Sequence, residues 1–206
     1  PPGDVHIKYG YLKEGTHYVV KIASGFYDNP KLGLSSCQGM MLLFDQSTGV
    51  PAAVLLDEGK LTDIRTGAAG AAAAKHLAPK EVQAVGGVGA GIQARMQLKY
   101  LAEVSACREV VVWNRTEEHA LSLCEDIAEM GFNAKVVAHP RDVALNANLI
   151  ITTTPSREPL LNADWVQPGT HITAVGSDTA DKQELDSKIL SKARVVADSL
   201  AQSESR

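Results

Sequence analysis

The chain has 206 residues, of which 45% are hydrophobic and 21% charged, and its formal net charge is -4. This composition is typical of a globular protein with one large or two small domains. Its mild acidity and its lack of a basic run exclude nucleic acid and an anionic membrane surface as ligands. Its longest apolar stretches fall well short of the roughly 20 residues that a membrane-spanning helix needs.

The three cysteines are too few and too scattered for a disulfide framework or a zinc site. Their odd number fits a reducing compartment, so we expect a cytoplasmic location and no metal. The chain begins without an initiator methionine or a signal peptide and stops in a polar run. We therefore expect a chain truncated at both ends.

Short apolar runs separated by turn residues fill the first sixty positions. The runs at 18–22, 39–45 and 51–57 predict strands, and the polar segment 47–49 between the last two predicts a turn. This pattern indicates an antiparallel hairpin within a meander. Residues 24–33 are rich in Gly, Asn and Pro and predict a loop.

A helix rich in small residues follows and ends before Pro79. Thr62 is the expected N-cap, and Asp63 would lie in the first turn, where the helix dipole favours an acid. We interpret this helix as a link between two domains. The predicted domains are therefore 1–78, which is strand-rich and includes the helix, and 79–206.

Strands and helices alternate in the rest of the chain. Runs rich in Val, Ile and Leu predict strands at 82–88, 109–114, 134–138, 149–153, 171–175 and 194–197. The intervening stretches predict helices at 92–104, 117–130, 141–146 and 185–192. Apolar strands alternating with helices indicate a parallel sheet covered on both faces, so the predicted fold class is α/β, with a doubly wound sheet plus a smaller strand-rich domain.

The first of these strands leads directly into a glycine-rich turn. Gly89, Gly91 and Ala94 match the Gly-x-Gly-x-x-Ala fingerprint of dinucleotide-binding sites. In such a turn the start of the following helix, at Ile92 and Gln93, faces the pyrophosphate. Tight packing without a ligand is the alternative, but the flanking strand and helix are the context that the fingerprint requires.

The second strand ends in Asn114, Arg115 and Thr116, where an NAD site usually carries an acid. A guanidinium beside two hydrogen-bonding side chains suits a 2′-phosphate, so NADP(H) is favoured and NAD(H) is the other possibility. The alternative is that Arg115 is a solvated cation and Thr116 only the N-cap of the next helix.

Seven motifs together resemble the ornithine cyclodeaminase/mu-crystallin family. They occupy residues 20–26, 29–34, 61–69, 89–95, 152–155, 174–178 and 182–186. The resemblance covers essentially the whole chain and implies a Rossmann domain together with a strand-rich domain that binds substrate and forms a homodimer. Family members interconvert amino acids and imino acids, deaminate ornithine with cyclisation, or bind small ligands.

The resemblance also implies roles for individual residues. Arg65 and Lys21 would bind the substrate carboxylate, and Lys21 would also act in catalysis. Asp178 would be the general acid or base. Thr152, Thr153 and Thr154 would contact the nicotinamide side of the cofactor. Val175 and Gly176 of the 174–178 motif would also contact the cofactor. Without the resemblance, each residue has a simpler interpretation. Arg65 would pair with Asp63 on the helix surface, and Lys21 would be a charge on an edge strand. Asp178 would be a turn residue, and the threonines would be ordinary strand residues.

Two further residues of the glycine turn, Gln93 and Arg95, are candidates for contacts with the pyrophosphate. Near Asp178 the chain departs from the family, because Ala180-Asp181 stands where many relatives have Pro-Gly. The geometry of that loop is therefore left open.

The favoured function is NADP(H)-dependent hydride transfer between an imino acid and its amino acid. The close alternative is an ornithine cyclodeaminase that recycles its cofactor. The second alternative is an NADPH-regulated binding protein for a small ligand. Arg115 favours the reductase and Asp178 favours the cyclodeaminase, while the presence of Asp178 argues for catalysis over passive binding.

Overall fold

The computed structural model describes residues 3–197, 199 and 203. The chain separates into two compact units, residues 1–65 and 66–206. The boundary lies inside the linking helix, whereas the sequence placed it after the helix. From residue 66 onward this helix packs on the second unit: Gln97 Nε2 donates to Thr66 O at 2.9 Å. At Gly67, a Cβ would lie 2.8 Å from Met96 O.

The first unit is built on a four-stranded antiparallel sheet in the order β1-β2-β3-β4. The strands are β1 (Asp4–Tyr11), β2 (His17–Gly25), β3 (Cys37–Asp45) and β4 (Pro51–Leu55), with a short 3₁₀ turn at Asn29–Leu32 between β2 and β3. The three predicted strands and their hairpin are present. β1 was not predicted, although its polar and apolar residues alternate as a half-exposed strand requires.

The linking helix α1 (Lys60–Leu77) begins two residues before the predicted N-cap. Asp57 caps it instead, because its carboxylate accepts from Leu61 N at 2.8 Å and its carbonyl from Lys60 N at 2.9 Å. The assignment of Thr62 as N-cap is therefore wrong, and Thr62 belongs to the first turn. Asp63 lies in that turn, as predicted.

The second unit is a five-stranded parallel sheet in the order β7-β6-β5-β8-β9. Its elements are β5 (Val85–Val88), α2 (Ile92–Leu101), β6 (Glu109–Trp113), α3 (Glu117–Ala128), β7 (Asn133–Val136), α4 (Pro140–Asn146), β8 (Leu149–Thr152), β9 (His171–Ala174) and α5 (Ser187–Lys192). In chain order this is the 3-2-1-4-5 arrangement of a doubly wound sheet, and it confirms the α/β prediction.

The sixth strand, predicted at 194–197, is wrong. These residues lie outside the sheet and are exposed, with Val195 at 62% and Val196 at 56%. Valine favours a strand only where a neighbouring strand and a packing face exist, and neither is present here among the described residues.

Two apolar clusters cover the faces of the parallel sheet. One contains Leu98, Leu101, Leu123 and Ile127 from α2 and α3, and the other contains Val143 and Ile189 from α4 and α5 among its members. All buried hydrophobic residues of the described chain lie at position 71 or later. None of the helices in the described residues is both long enough and apolar enough to cross a bilayer.

Candidate active site

The glycine turn joins β5 to α2 at the carboxyl edge of the sheet. Gly89 has φ +110°, and a Cβ there would lie 2.7 Å from Thr153 Oγ1. Gly91 is the N-cap of α2, and a Cβ there would meet no described atom within 4 Å. Ala94 is 4% exposed and packs in the core. Only glycine suits position 89, whereas Gly91 leaves open space above the backbone.

The start of α2 offers its backbone N–H groups without a side-chain cap. Ile92, which is 41% exposed, and Gln93 are the first residues of the helix. The first N–H groups of a helix have no intrahelical acceptor and lie at the positive end of the helix dipole. This arrangement fits a phosphate group, and the open space at Gly91 leaves room for the pyrophosphate of a dinucleotide.

Arg95 is directed into the protein and not toward a ligand. Its Nε donates to Asp126 Oδ2 at 2.6 Å, and its Nη1 donates to Ala90 O at 2.6 Å. The side chain is 23% exposed. The suggestion that Arg95 contacts the pyrophosphate is therefore wrong, and we assign it the role of tying the glycine turn to α3.

Arg115 follows β6 on the other side of the glycine turn from β8. It is exposed and forms no ion pair with any described residue. Asn114 Nδ2 donates to Thr116 O at 2.9 Å and so braces this turn. Thr116 occupies the N-cap position of α3, but its hydroxyl makes no capping hydrogen bond.

Glu184 is a buried carboxylate that the sequence analysis did not single out. It is 1% exposed and accepts four hydrogen bonds from the ends of β8 and β9. The donors are Thr152 Oγ1 at 2.8 Å, Thr154 N at 2.5 Å, Thr154 Oγ1 at 2.7 Å and Gly176 N at 2.9 Å. Burial raises the pKa of Glu184, and the bonds from Thr154, Thr152 and Gly176 oppose that shift.

The predicted cofactor residues that follow β8 and β9 fall into two groups. Thr154 and Gly176 direct their N–H groups to Glu184, and Val175 N donates to Thr152 O at 2.9 Å. Thr153 is different, because its Oγ1 is buried and finds no hydrogen-bond partner in the described part of the chain. Its hydroxyl therefore lacks the hydrogen bond that a ligand or a water molecule would complete.

Asp178 lies in the loop after β9 and is exposed. Lys182 Nζ, on a side chain only 6% exposed, lies 2.7 Å from Asp178 Oδ1. Asp181, one of the two residues at which the chain departs from many relatives, stabilises the same loop. Its carboxylate accepts from Thr179 Oγ1 at 2.6 Å and forms an ion pair with Arg157 at 3.0 Å. The Thr179 hydrogen bond is the main cause of the lowered pKa of Asp181.

The first unit brings Lys21 and Arg65 together. Lys21 is half-buried on β2 and lies directly opposite Lys8 in the β1–β2 register, while Arg65 is exposed on α1. Burial lowers the pKa of Lys21, the positive charges of Arg65 and Lys8 lower it further, and Asp57 partly opposes them. These cations concentrate positive charge suited to a carboxylate.

Two polar residues beside Lys21 were missed together with β1. Lys8 and His6 share one face of the sheet, because they pair with Lys21 and Ala23 across the β1–β2 ladder. His6 Nε2 is buried and has no hydrogen-bond partner in the ranges that the structure describes. The alternation Asp4-Val5-His6-Ile7-Lys8 is the signal that would have identified them.

The described residues hold no group of three His, Cys, Asp or Glu side chains able to bind a metal ion. The three cysteines are thiols.

The model of the ornithine cyclodeaminase/mu-crystallin family matches residues 3–206. The chain belongs to this family. The resemblance inferred from the seven motifs is thereby confirmed.

Three relatives show how the family is represented. A putative dehydrogenase of Rhizobium meliloti is 44% identical over 97% of this chain and 61% of its own length. An archaeal alanine dehydrogenase dimer with bound NAD has a TM-score of 0.90 at 36% identity, over 98% of this chain and 62% of that one. The NAD+ complex of the iminosuccinate reductase of Paracoccus denitrificans has a TM-score of 0.87 at 34% identity, over the same shares.

The chain thus spans about three fifths of the length of these relatives. Other members of the family are named ketimine reductase, pyrroline-2-carboxylate reductase and lysine cyclodeaminase. The family therefore contains imino-acid reductases and cyclodeaminases, and its solved structures named above hold NAD or NAD+.

Proposed function

We propose that the protein is an NADP(H)-dependent oxidoreductase that interconverts an imino acid and its amino acid. The observation that carries the proposal is the uncapped start of α2 behind a glycine turn, at the point where the strand order of the sheet reverses. Ligands of open parallel sheets bind at this point, outside the carboxyl ends of the strands. Family membership supplies the reaction class, since its named members act on amino and imino acids.

Arg65 and Lys21 hold the substrate carboxylate in this proposal. Charge-assisted hydrogen bonds are worth about 1.5–3 kcal/mol each, and the guanidinium fork also fixes orientation. Because the pKa of Lys21 is lowered, its ammonium releases a proton more readily than a solvated lysine. Lys21 can therefore bind the carboxylate when charged and exchange a proton at the substrate nitrogen or a water.

Asp178 is the proposed general acid or base. It lies beyond the carboxyl end of β9, and Lys182 Nζ donates to its Oδ1 at 2.7 Å, which fixes the position of the carboxylate. When bound, the nicotinamide supplies or accepts the hydride. The protein's task is then to orient the α-carbon and to move one proton at the nitrogen.

Arg115 is the basis for preferring NADP(H). It is exposed at the end of β6, is not engaged in an ion pair with a described residue, and stands where an NAD site usually has an acid. A 2′-phosphate would find a forked cation there. The NAD-bound structures of relatives make NAD(H) the competing cofactor.

A cyclodeaminase is the second candidate, and Asp178 is the observation that favours it. The resemblance assigns the matching aspartate of cyclodeaminases a role at the substrate amine, and one relative of 30% identity is named a lysine cyclodeaminase. In that reaction no net cofactor is consumed, and ammonia is released.

We also propose that the protein forms a homodimer through the face of the first sheet opposite Lys21. This apolar face consists of three cross-strand rows: Ile7-Ile22-Met40, Tyr9-Val20-Leu42 and Tyr11-Tyr18-Phe44. Ile7 and Tyr9 are 69% and 81% exposed. An exposed patch of this kind marks an interaction surface.

The three thiols support the further proposal of a cytoplasmic location.

One assay separates the candidate functions. The protein is mixed with ornithine, and separately with NADPH or NADH plus a panel of imino acids, while ammonia and reduced nicotinamide are measured. We expect loss of reduced nicotinamide with an imino acid. Ammonia without net cofactor change identifies a cyclodeaminase, and silence in both arms contradicts both enzymatic proposals. Asp178→Asn is the control variant, which should retain NADPH affinity and lose turnover.

A further inference from the structure

We infer that Glu184 is a positioning residue for the nicotinamide half of the dinucleotide site, where it holds the ends of β8 and β9 so that Thr153 presents its hydroxyl to the ligand. This inference rests on the proposed function only in requiring that a dinucleotide binds. It concerns a residue that lies outside the fingerprint and outside the substrate-binding cations.

The four hydrogen bonds to Glu184 join segments that are far apart in sequence. Thr152 is the last residue of β8, Thr154 and Gly176 follow β8 and β9, and Glu184 itself lies on the segment before α5. Its backbone is held as well, because Glu184 N donates to Ser177 Oγ at 3.0 Å and Glu184 O accepts from Leu160 N at 2.8 Å. The carboxylate is therefore a fixed anchor for both strand ends.

This anchor decides which threonine is available to a ligand. Side chains alternate along an extended segment, so Thr152 and Thr154 point toward Glu184 while Thr153 points to the other side. There its Oγ1 is buried without a described partner, beside the Cα of Gly89 in the glycine turn. A buried hydroxyl without a partner is costly unless a ligand or water completes it.

The strand order assigns this hydroxyl to one half of the ligand. β6, which Arg115 follows, and β8, which Thr153 follows, lie on opposite sides of β5. A dinucleotide that crosses this point with its adenosine half toward Arg115 places its other half at Thr153. Glu184 should therefore affect the nicotinamide half and spare the adenosine half.

Glutamine cannot replace Glu184 in this arrangement. All four partners donate, and two of them are backbone N–H groups that cannot reverse their role. A carboxylate accepts from all four, whereas the NH2 of glutamine must face either Thr154 N or Gly176 N. Glu184→Gln therefore releases one strand end with almost no change in side-chain volume.

The experiment compares whole dinucleotides with adenosine fragments by calorimetry on the full chain. For Glu184→Gln we expect the Kd of NADPH and NADH to rise about tenfold, and that of adenosine 2′,5′-bisphosphate and AMP to stay within about twofold. Thr153→Val should show the same split with an unchanged or higher melting temperature, because it removes a hydroxyl that has no described partner. Glu109→Gln, an exposed glutamate at the amino end of β6, is the matched control and should change neither ligand class.

Equal weakening of dinucleotides and fragments would show a merely structural role and overturn the inference, as would normal dinucleotide affinity in Thr153→Val. If Glu184→Gln does not fold, Thr152→Val, which removes one of the four donors, takes its place under the same criteria. Wild-type protein that binds NADPH but reduces no imino acid would overturn the proposed reaction and leave this test intact. Wild-type protein that binds no dinucleotide would overturn both.

Discussion

Burial lowers the pKa of Lys21, and the neighbouring cations Arg65 and Lys8 lower it further. Lys8 is its direct cross-strand neighbour and contributes to its lowered pKa. We expect Lys8→Met to raise the pKa of Lys21, because the variant removes a repelling cation. Titration of isotopically methylated lysines by NMR measures this shift, and Lys13→Met, in the turn after β1, is the control. An unchanged Lys21 pKa in Lys8→Met would contradict the coupling.

The same shift has a consequence for stability. The folded protein binds the Lys21 proton less tightly than the unfolded chain, whose lysines titrate near the ordinary value of 10.5. The unfolded state therefore holds more protons between the lowered pKa and 10.5, so the contribution of Lys21 to the free energy of unfolding rises with pH across that interval.

Arg115 tests the choice of cofactor. We expect Arg115→Ala to weaken NADPH binding by roughly 1.5–3 kcal/mol and to leave NADH binding nearly unchanged, because only NADPH carries the 2′-phosphate. Equilibrium titration with both cofactors measures the difference, with Arg141→Ala on α4 as a control. Equal losses for the two cofactors would refute the assignment.

Some residues of the site follow from local sequence and others do not. Gly89, Gly91 and Ala94 lie within one short motif, so their pattern can be recognised without a structure. In the sequence, Glu184 is one of three consecutive polar residues, Lys182-Gln183-Glu184. The donors of its hydrogen bonds lie 8 to 32 positions away. A long-range hydrogen-bond network leaves no periodic pattern in the sequence, and for that reason it was not predicted.

The turn between β3 and β4 depends on one ionised side chain. Asp45 accepts from the backbone and hydroxyl of both Ser47 and Thr48, and these bonds lower its pKa to about 2. Its stabilising contribution is therefore complete above the ordinary value of 3.8 and is lost as the pH falls toward about 2. Acid unfolding of wild type and Asp45→Asn should show that the variant lacks this part of the pH dependence. Parallel curves would contradict it.

At the level of elements, strands with two buried faces were predicted best. β5, β6 and β8 are runs of apolar residues whose burial leaves little ambiguity about their type. β1 was missed because Asp4, His6 and Lys8 interrupt its apolar residues. The error at 194–197 came from interpreting valines as a strand where no pairing partner exists in the described part of the chain. β-propensity therefore predicts a strand well where the sheet provides a neighbouring strand to pair with.

The apolar face of the first sheet predicts the assembly state. We expect light scattering to give a dimer for the wild-type protein and a monomer for Ile7→Glu, because the charge would be buried without a partner at the interface. Leu12→Glu, which is also exposed but follows β1, is the matched control and should remain dimeric. A monomeric wild type, or a dimeric Ile7→Glu, would contradict the proposed interface.

In the second unit, the link from Arg95 to Asp126 ties the glycine turn to α3. The guanidinium holds the carbonyls of Ala90 and Gly91 against α3. The chain entropy of this turn is therefore lost when the protein folds and not when a nucleotide binds. A nucleotide bound there would contact amides whose neighbouring carbonyls this link holds, so we expect its heat of binding to reflect the contacts it makes and not the ordering of a loop.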